Sequence, residues 1–281
     1  MQPVVAVIAP GMMGSAVANC LTTNGLEVRT LLDGRGADTQ ARAAKAKMTG
    51  ASESQIAACD IILSILPPGS ALDLAEKLAP ALRAVTKKPV YVDCNAVAPA
   101  TVEKIDRVVS GTGAIFVDGG IIGGPPTPGS KNTKIYLSGS HAAKAAVLEN
   151  FGLYMPIMPG PIGAASAMKM SYAGITKGFT ALGAGMMLAA SRAGTGDALK
   201  AELALSQPAL YAWLTRQMPN MYSKAYRWVA EMEEIATFVG EDPAAAKFYL
   251  GAAELYQRIA ADFDGANKET AALTAFCAKK D

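Results

Sequence analysis

In Val4-Val5-Ala6-Val7-Ile8-Ala9-Pro10-Gly11-Met12-Met13-Gly14, an apolar, β-branched run stops at a proline and a glycine. The run lacks polar alternation, so both of its faces are expected to be buried, as in a strand of a parallel sheet. Met12–Asn24 then reads as a helix. Ala9, Gly11 and Gly14 have the spacing G-x-G-x-x-G, with alanine in the first place. Small residues there allow a tight turn, approach of backbone to a pyrophosphate, and close helix–strand packing. Two glycines also occur in generic strand–turn–helix units, so the flanking sequence has to decide.

Similar short runs recur at Val28–Leu32, Ile61–Leu66, Val90–Val92 and Ile115–Val117. Helix-like stretches lie between them at Asp38–Met48, Ser70–Ala84 and Ala100–Ser110. This alternation predicts an α/β fold, a Rossmann domain with a parallel sheet and crossover helices. Thr133–Ser138 adds a strand and Ala142–Asn150 a helix. Pro156, Pro159, Gly160 and Pro161 then interrupt the chain, placing a boundary between an α/β domain at 1–160 and an all-α domain at 161–281. Helices are expected at Gly163–Ala193, Lys200–Leu205, Pro208–Gln217, Tyr222–Val239, Pro243–Phe263 and Lys268–Ala278. Only Tyr91, Phe116 and Tyr136 among the aromatic residues precede residue 150.

Composition narrows the function classes. The 281 residues are 51% hydrophobic and 18% charged, with a net charge of +2. Such a chain folds around a core and lacks the basic footprint of a nucleic-acid binder. Lys87–Lys88 and Lys279–Lys280 are isolated pairs, not a polybasic membrane patch. Cys20, Cys59, Cys94 and Cys277 are scattered without a C-x-x-C, which argues against zinc or a disulfide framework. One histidine, His141, precludes a histidine metal cluster. Met1–Leu26 lacks charge, but it has no basic start and is broken by Pro3 and Pro10-Gly11, so it is not read as a signal. Gly178–Ser191 falls short of the roughly 20 residues a membrane span needs. The expectation is a soluble, cytoplasmic protein.

With strands and helices on both sides, the glycine loop reads as a dinucleotide site, formed by Gly11, Met12, Met13 and Gly14 at a helix N-terminus. Cofactor choice is read after the second strand. Asp33 can hold ribose hydroxyls, as in NAD sites. Arg35 can instead take a 2′-phosphate, or be an ordinary surface arginine; it tips the reading toward NADP over NAD.

Several segments, in order, together resemble the β-hydroxyacid dehydrogenase family, which includes 3-hydroxyisobutyrate dehydrogenase. They are the glycine loop, Leu66-Pro67-Pro68, Asp93-Cys94-Asn95-Ala96-Val97-Ala98-Pro99, Asp118-Gly119-Gly120-Ile121-Ile122-Gly123-Gly124, and Gly163 followed by Lys169. The resemblance implies that Leu66, Pro67 and Pro68 pass over the cofactor, that Asn95 lies beside the nicotinamide, and that Ile122, Gly123 and Gly124 line the substrate loop. It also implies a homodimer through the helical domain. Ile122 stands where the family has a serine, and Ala173 where it has an asparagine four residues past the lysine. These departures are more similar to a branch labelled 6-phosphogluconate dehydrogenase NAD-binding-like. The Gly123-Gly124-Pro125-Pro126 run and the segment around Arg227-Trp228 suit that branch.

The reacting group is read as Lys169. It lies among Ala164, Ala165, Ala167, Met168 and Met170, where desolvation is expected to lower its pKa toward working pH. The bland alternative is a lysine whose stem covers apolar surface on its way to water. Lys177 is read as mainly structural. Tyr172, three residues past Lys169, is read either as a catalytic partner or as core. His141 is assigned a surface or capping role. Arg227, Glu231 and Glu234 recur on one helical face; Arg227 and Glu231 either meet the substrate or form part of a solvated charged face. Ile122 makes the pocket apolar, so the substrate is expected to carry an apolar or aromatic part and need not carry an acid. Gly174, Gly178, Gly183 and Gly185 are expected to let another backbone pack closely. The functional expectation is an NAD(P)-dependent oxidoreductase moving hydride between nicotinamide and a hydroxy acid or related alcohol or carbonyl, with a lysine proton relay. An imine or enamine reductase and a non-catalytic NADP(H) sensor are the alternatives.

Overall fold

The computed structural model describes residues 2–278, so the Lys279–Lys280 pair lies outside the described residues. Two compact units divide between Met170 and Ser171.

The first unit runs β1 (Val5–Ile8), α1 (Met12–Thr23), β2 (Val28–Thr30), α2 (Ala37–Lys45), β3 (Thr49–Gly50), α3 (Glu53–Ala57), β4 (Ile61–Ser64), α4 (Ala71–Ala84), β5 (Val90–Asp93), α5 (Pro99–Ser110), β6 (Ile115–Ile122), β7 (Lys134–Ser138) and α6 (Ala142–Ala146). The strands form one seven-stranded sheet in the order β3-β2-β1-β4-β5-β6-β7. Its strands alternate between two cores, as a sheet covered on both faces requires. Val5 and Val7 pack with Val17 and Leu21 of α1 and Leu148. Ala6 and Ile8 pack with Ile56 of α3, Leu78 of α4 and Ile105 of α5.

The sheet is mostly parallel, as the strand–helix alternation implied, and its last strand, whose direction the sequence reading left open, is the exception. β7 pairs antiparallel with β6, Ile122 lying opposite Lys134 and Asp118 opposite Ser138. The two strands are joined by a hairpin, whereas parallel neighbours need a crossover of about a dozen residues or more. β3 and α3 had no counterpart in the sequence reading. Ser52 starts α3 through a capping box with Gln55.

The expected break near residue 160 is not where the first unit ends. Residues beyond β7 run beside it: Ile135 N–H donates to Tyr154 O, and Met158 N–H to Leu137 O. The first turn of the next helix, α7 (Ala164–Arg192), is also bonded to the first unit. In the second unit follow α8 (Gly196–Ser206), α9 (Pro208–Met221), α10 (Ala225–Phe238), α11 (Pro243–Phe263) and α12 (Lys268–Cys277). The helix expected to start at Tyr222 begins at Ala225, after a 3-10 turn over Tyr222–Lys224. Among the described residues, no helix is long and apolar enough to cross a membrane.

Candidate nucleotide and catalytic site

The glycine loop closes between β1 and α1. Gly11 is the N-cap of α1 in extended conformation, so the free N–H groups of the first helical turn follow it. No acidic residue lies in that turn to compete for an anion. The two glycines differ in what they permit. A Cβ on Gly14 would fall 2.0 Å from the Ala9 carbonyl oxygen, so helix and strand approach as only glycine allows. A Cβ on Gly11 would meet nothing within 4 Å. Bare backbone there faces open space, as close approach of a pyrophosphate requires. Met12 is 66% exposed beside it, whereas Met13 packs on the core.

Between the segment that follows β2 and the start of α4 is a cavity of about 490 Å³. That size suits a small-molecule site. Leu31, Leu66 and Leu74 form its apolar walls, and both Asp33 and Arg35 line it. The structure therefore brings together the two residues between which the cofactor reading chose. Lys77 and Glu53, which that reading passed over, also line it and pair at 3.3 Å. The signal was present: α4 follows Leu66-Pro67-Pro68, and its inward side one or two turns on has to face the same space. Pro67 caps the 3-10 turn Pro68–Ser70, which leads into α4.

Asn95 stands behind this loop. It is 2% exposed. Its Oδ1 accepts from Leu66 N–H at 2.5 Å. Its Nδ2 donates to Ser64 Oγ at 2.8 Å and to Asp93 Oδ1 at 2.5 Å. The side chain expected beside the nicotinamide ties the ends of β4 and β5 together and fixes the start of the Leu66–Pro68 turn.

Lys169 is held by the far side of the sheet. Asp118 of β6 is fully buried, and its Oδ2 accepts from the N–H groups of Gly163, Ala165 and Ser166. Ser138 Oγ also donates to that oxygen, and Ser166 Oγ donates to Oδ1. This carboxylate caps α7 and lays its first turn on β6. Two residues along β6, on the same face, a Cβ on Gly120 would fall 2.7 Å from the Ala165 carbonyl oxygen and 3.1 Å from Lys169 Cβ. Lys169 is half-buried. It therefore rises from helix backbone pressed against β6, within the unit that carries the glycine loop. Ile122 ends β6 half-buried, and Gly123 turns the chain at φ +118°. Gly124 O accepts from Thr133 Oγ1 at 2.5 Å, which closes the hairpin base.

The second unit holds the other expected residues. Tyr172 is 49% exposed, so it is not a core side chain. Arg227 is exposed, but Glu231 is buried and pairs with Lys177, which corrects the reading of one solvated face. The Lys177 ammonium lies 4.8 Å from the centroid of Trp228, and Tyr256 Oη donates to Lys177 O at 2.6 Å. Glu231 thus belongs to the interior of the helical unit. Three of the four helix glycines face side chains, not a second backbone: Gly174 abuts Tyr249, Gly178 Phe248 and Gly183 Leu214, while a Cβ on Gly185 would meet nothing within 4 Å. His141 is exposed at the N-cap of α6 and makes no side-chain cap bond.

A family described as the NAD binding domain of 6-phosphogluconate dehydrogenase matches residues 4–154. A domain of unknown function, DUF1932, matches residues 190–259. An uncharacterized 28.5 kDa protein of Methanothermus fervidus is 33% identical over 159 residues, which span 56% of this chain and 59% of that relative. Among solved structures, a conserved protein of unknown function, described as structurally similar to 3-hydroxyacid dehydrogenases, is 26% identical. It covers 92% of this chain and 98% of its own, with a TM-score of 0.68. The 3-hydroxyisobutyrate dehydrogenase of Mycobacterium tuberculosis is 17% identical with a TM-score of 0.74, covering 99% of this chain and 100% of its own, and shares the fold. The glycine loop, the sheet order and the match over 4–154 agree, and the chain belongs to the family of the NAD binding domain of 6-phosphogluconate dehydrogenase.

Proposed function

We propose that the protein is an NAD(P)-dependent oxidoreductase acting on a hydroxy acid or a related alcohol and carbonyl pair, with Lys169 as proton relay. The observation that carries this is the packing of Lys169 against Gly120, with the helix start pinned by Asp118, in the same unit as the glycine loop. Ligands of such sheets lie outside the carboxyl ends of the strands. Gly11–Gly14 would hold the pyrophosphate, and Leu31, Leu66 and Leu74 the adenosine. When bound, the nicotinamide supplies or accepts hydride. Lys169 donates the proton to the carbonyl oxygen in reduction and takes it from the hydroxyl in oxidation. Ile122 favours an apolar or aromatic part of the substrate near that centre. Arg35 favours NADP, through paired hydrogen bonds to a 2′-phosphate. The four cysteines are free thiols, which suits a reducing cytoplasm.

Binding and turnover test the reading together. Wild type and Lys169→Ala are titrated with NADPH and NADH, then assayed on hydroxy acids, aldehydes and cyclic imines. NADPH is expected to bind more tightly than NADH, and equally well to both proteins. Turnover of Lys169→Ala is expected to fall by about 10²-fold or more. An unchanged kcat removes Lys169 from the mechanism. Turnover of imines alone selects the imine reductase reading, which the apolar Ile122 and Ala173 favour. Binding without any turnover selects the sensor.

The assembly we propose is a homodimer through the helical unit. On α7, Tyr172, Ile175, Phe179, Leu182 and Met186 are 49–60% exposed. Their three-four spacing forms one apolar stripe, about 21 Å long at 1.5 Å per residue. An identical stripe on a second copy has the matching periodicity to cover it.

A further inference from the structure

The hairpin between β6 and β7 carries two cations that the reaction as proposed leaves unused. Lys134 lies directly opposite Ile122 in the ladder. Residues opposite each other share a face, as do alternate residues along a strand. Lys134 is therefore on the face that Asp118 and Gly120 present to α7, the face of Lys169. It is one dipeptide, about 7 Å, beyond Gly120 toward the carboxyl end of β6, and one strand, about 5 Å, to the side. Its ammonium lies 5.9 Å from the centroid of the Tyr154 ring, and that of Lys131 lies 5.7 Å from the same centroid. Among the described residues, no carboxylate forms an ion pair with either lysine. Thr133 between them is buried and bonded to Gly124, so the backbone that carries both cations is anchored.

The geometry points to an anion-binding subsite made by Lys134 and Lys131 beside Tyr154, which takes an acidic group of the substrate, carboxylate or phosphate, remote from the reacting carbon. Two like charges gathered on one ring raise the local positive potential, and an anion relieves it through charge-assisted hydrogen bonds. The ring contact keeps both flexible stems near one place. Ile122 removes a polar group from the substrate loop, while the residue opposite it supplies a full charge. The substrate class that follows has an apolar segment against Ile122 and an anionic end beyond it. Its role as a substrate site rests on the oxidoreductase reading; the binding itself does not.

Inorganic phosphate and malonate are titrated separately into the full chain, followed by amide chemical shifts. The variants are Lys134→Met, Lys131→Met, Lys134→Arg, and Lys144→Met as an exposed lysine elsewhere in the first unit. Shifts are expected at residues 131–134 and Tyr154. Lys134→Met is expected to weaken binding by about tenfold and Lys131→Met by about threefold, with Lys134→Arg and Lys144→Met near wild type. A response to malonate alone assigns a carboxylate, and to phosphate alone a phosphate ester; either supports the subsite. Equal dissociation constants for wild type and Lys134→Met with both anions, or an equal loss in Lys144→Met, overturn it. NADPH added to the same samples reads the other proposal separately. Failure of NADPH to bind sinks the oxidoreductase reading without altering the comparison of lysine variants.

Discussion

Asp118 is a buried carboxylate surrounded by donors. Three backbone N–H groups and two serine hydroxyls reach it. Removing it leaves these groups in an interior that offers them no water. Asp118→Ala is therefore expected to cost about 3 kcal/mol, because each buried polar group left unsatisfied carries its own desolvation penalty. Urea denaturation measures this, and a loss below about 1 kcal/mol would show that the helix start is held by other contacts. Cys59 gives the pH dependence. Burial pushes its thiol from the ordinary 9.0 up to about 11. Burial also raises Cys20 and Cys94. In the unfolded chain these thiols lose protons near the ordinary value, while the native state keeps them. The native state then binds more protons than the unfolded state, so stability is intact below about pH 9 and falls as pH rises toward about 11. The urea midpoint is expected to drop across that window, and less steeply in Cys59→Ala. A midpoint independent of pH there would contradict the burial of these thiols.

At the scale of elements, α7 has different faces along its length. Its first turn is fixed by Asp118, and its later part carries the exposed stripe from Tyr172 to Met186. If the stripe seats a second copy, Ile175→Glu with Leu182→Glu dissociates the dimer, because burying a carboxylate on an apolar seam is costly. Sedimentation equilibrium should show wild type at twice the mass of this variant. Equal masses would remove the stripe as the interface. Sequence made some elements plain and hid others. The run through Val4–Ile8 with Gly11 and Gly14 identified β1, its turn and α1, because burial on both faces and a tight crossing leave few residue choices. The direction of β7 was lost, since an apolar run reads alike both ways; the turn residues of Gly123–Asn132 were the missed hairpin signal. Periodicity placed Arg227, Glu231 and Glu234 on one face of α10. It could not show that Lys177, 54 residues earlier, would claim Glu231 for the interior. Asn95 was placed beside the site by its segment, but its bonding inward to Leu66, Ser64 and Asp93 depends on how two strands register.

At the scale of the molecule, a seven-stranded sheet carries the glycine loop, the cavity with Asp33 and Arg35, and Lys169 in one unit, and the helices follow in another. The proposed chemistry requires the nicotinamide to reach Lys169 across the carboxyl ends of that sheet. A crystal structure of the protein with NADP⁺ tests this most directly. The account predicts the pyrophosphate on Gly11–Gly14, the 2′-phosphate at Arg35, and the nicotinamide C4 within about 6 Å of Lys169 Nζ, room for one substrate oxygen between them. A nicotinamide ring turned away from β6, with Lys169 beyond the reach of any shared substrate, would contradict it.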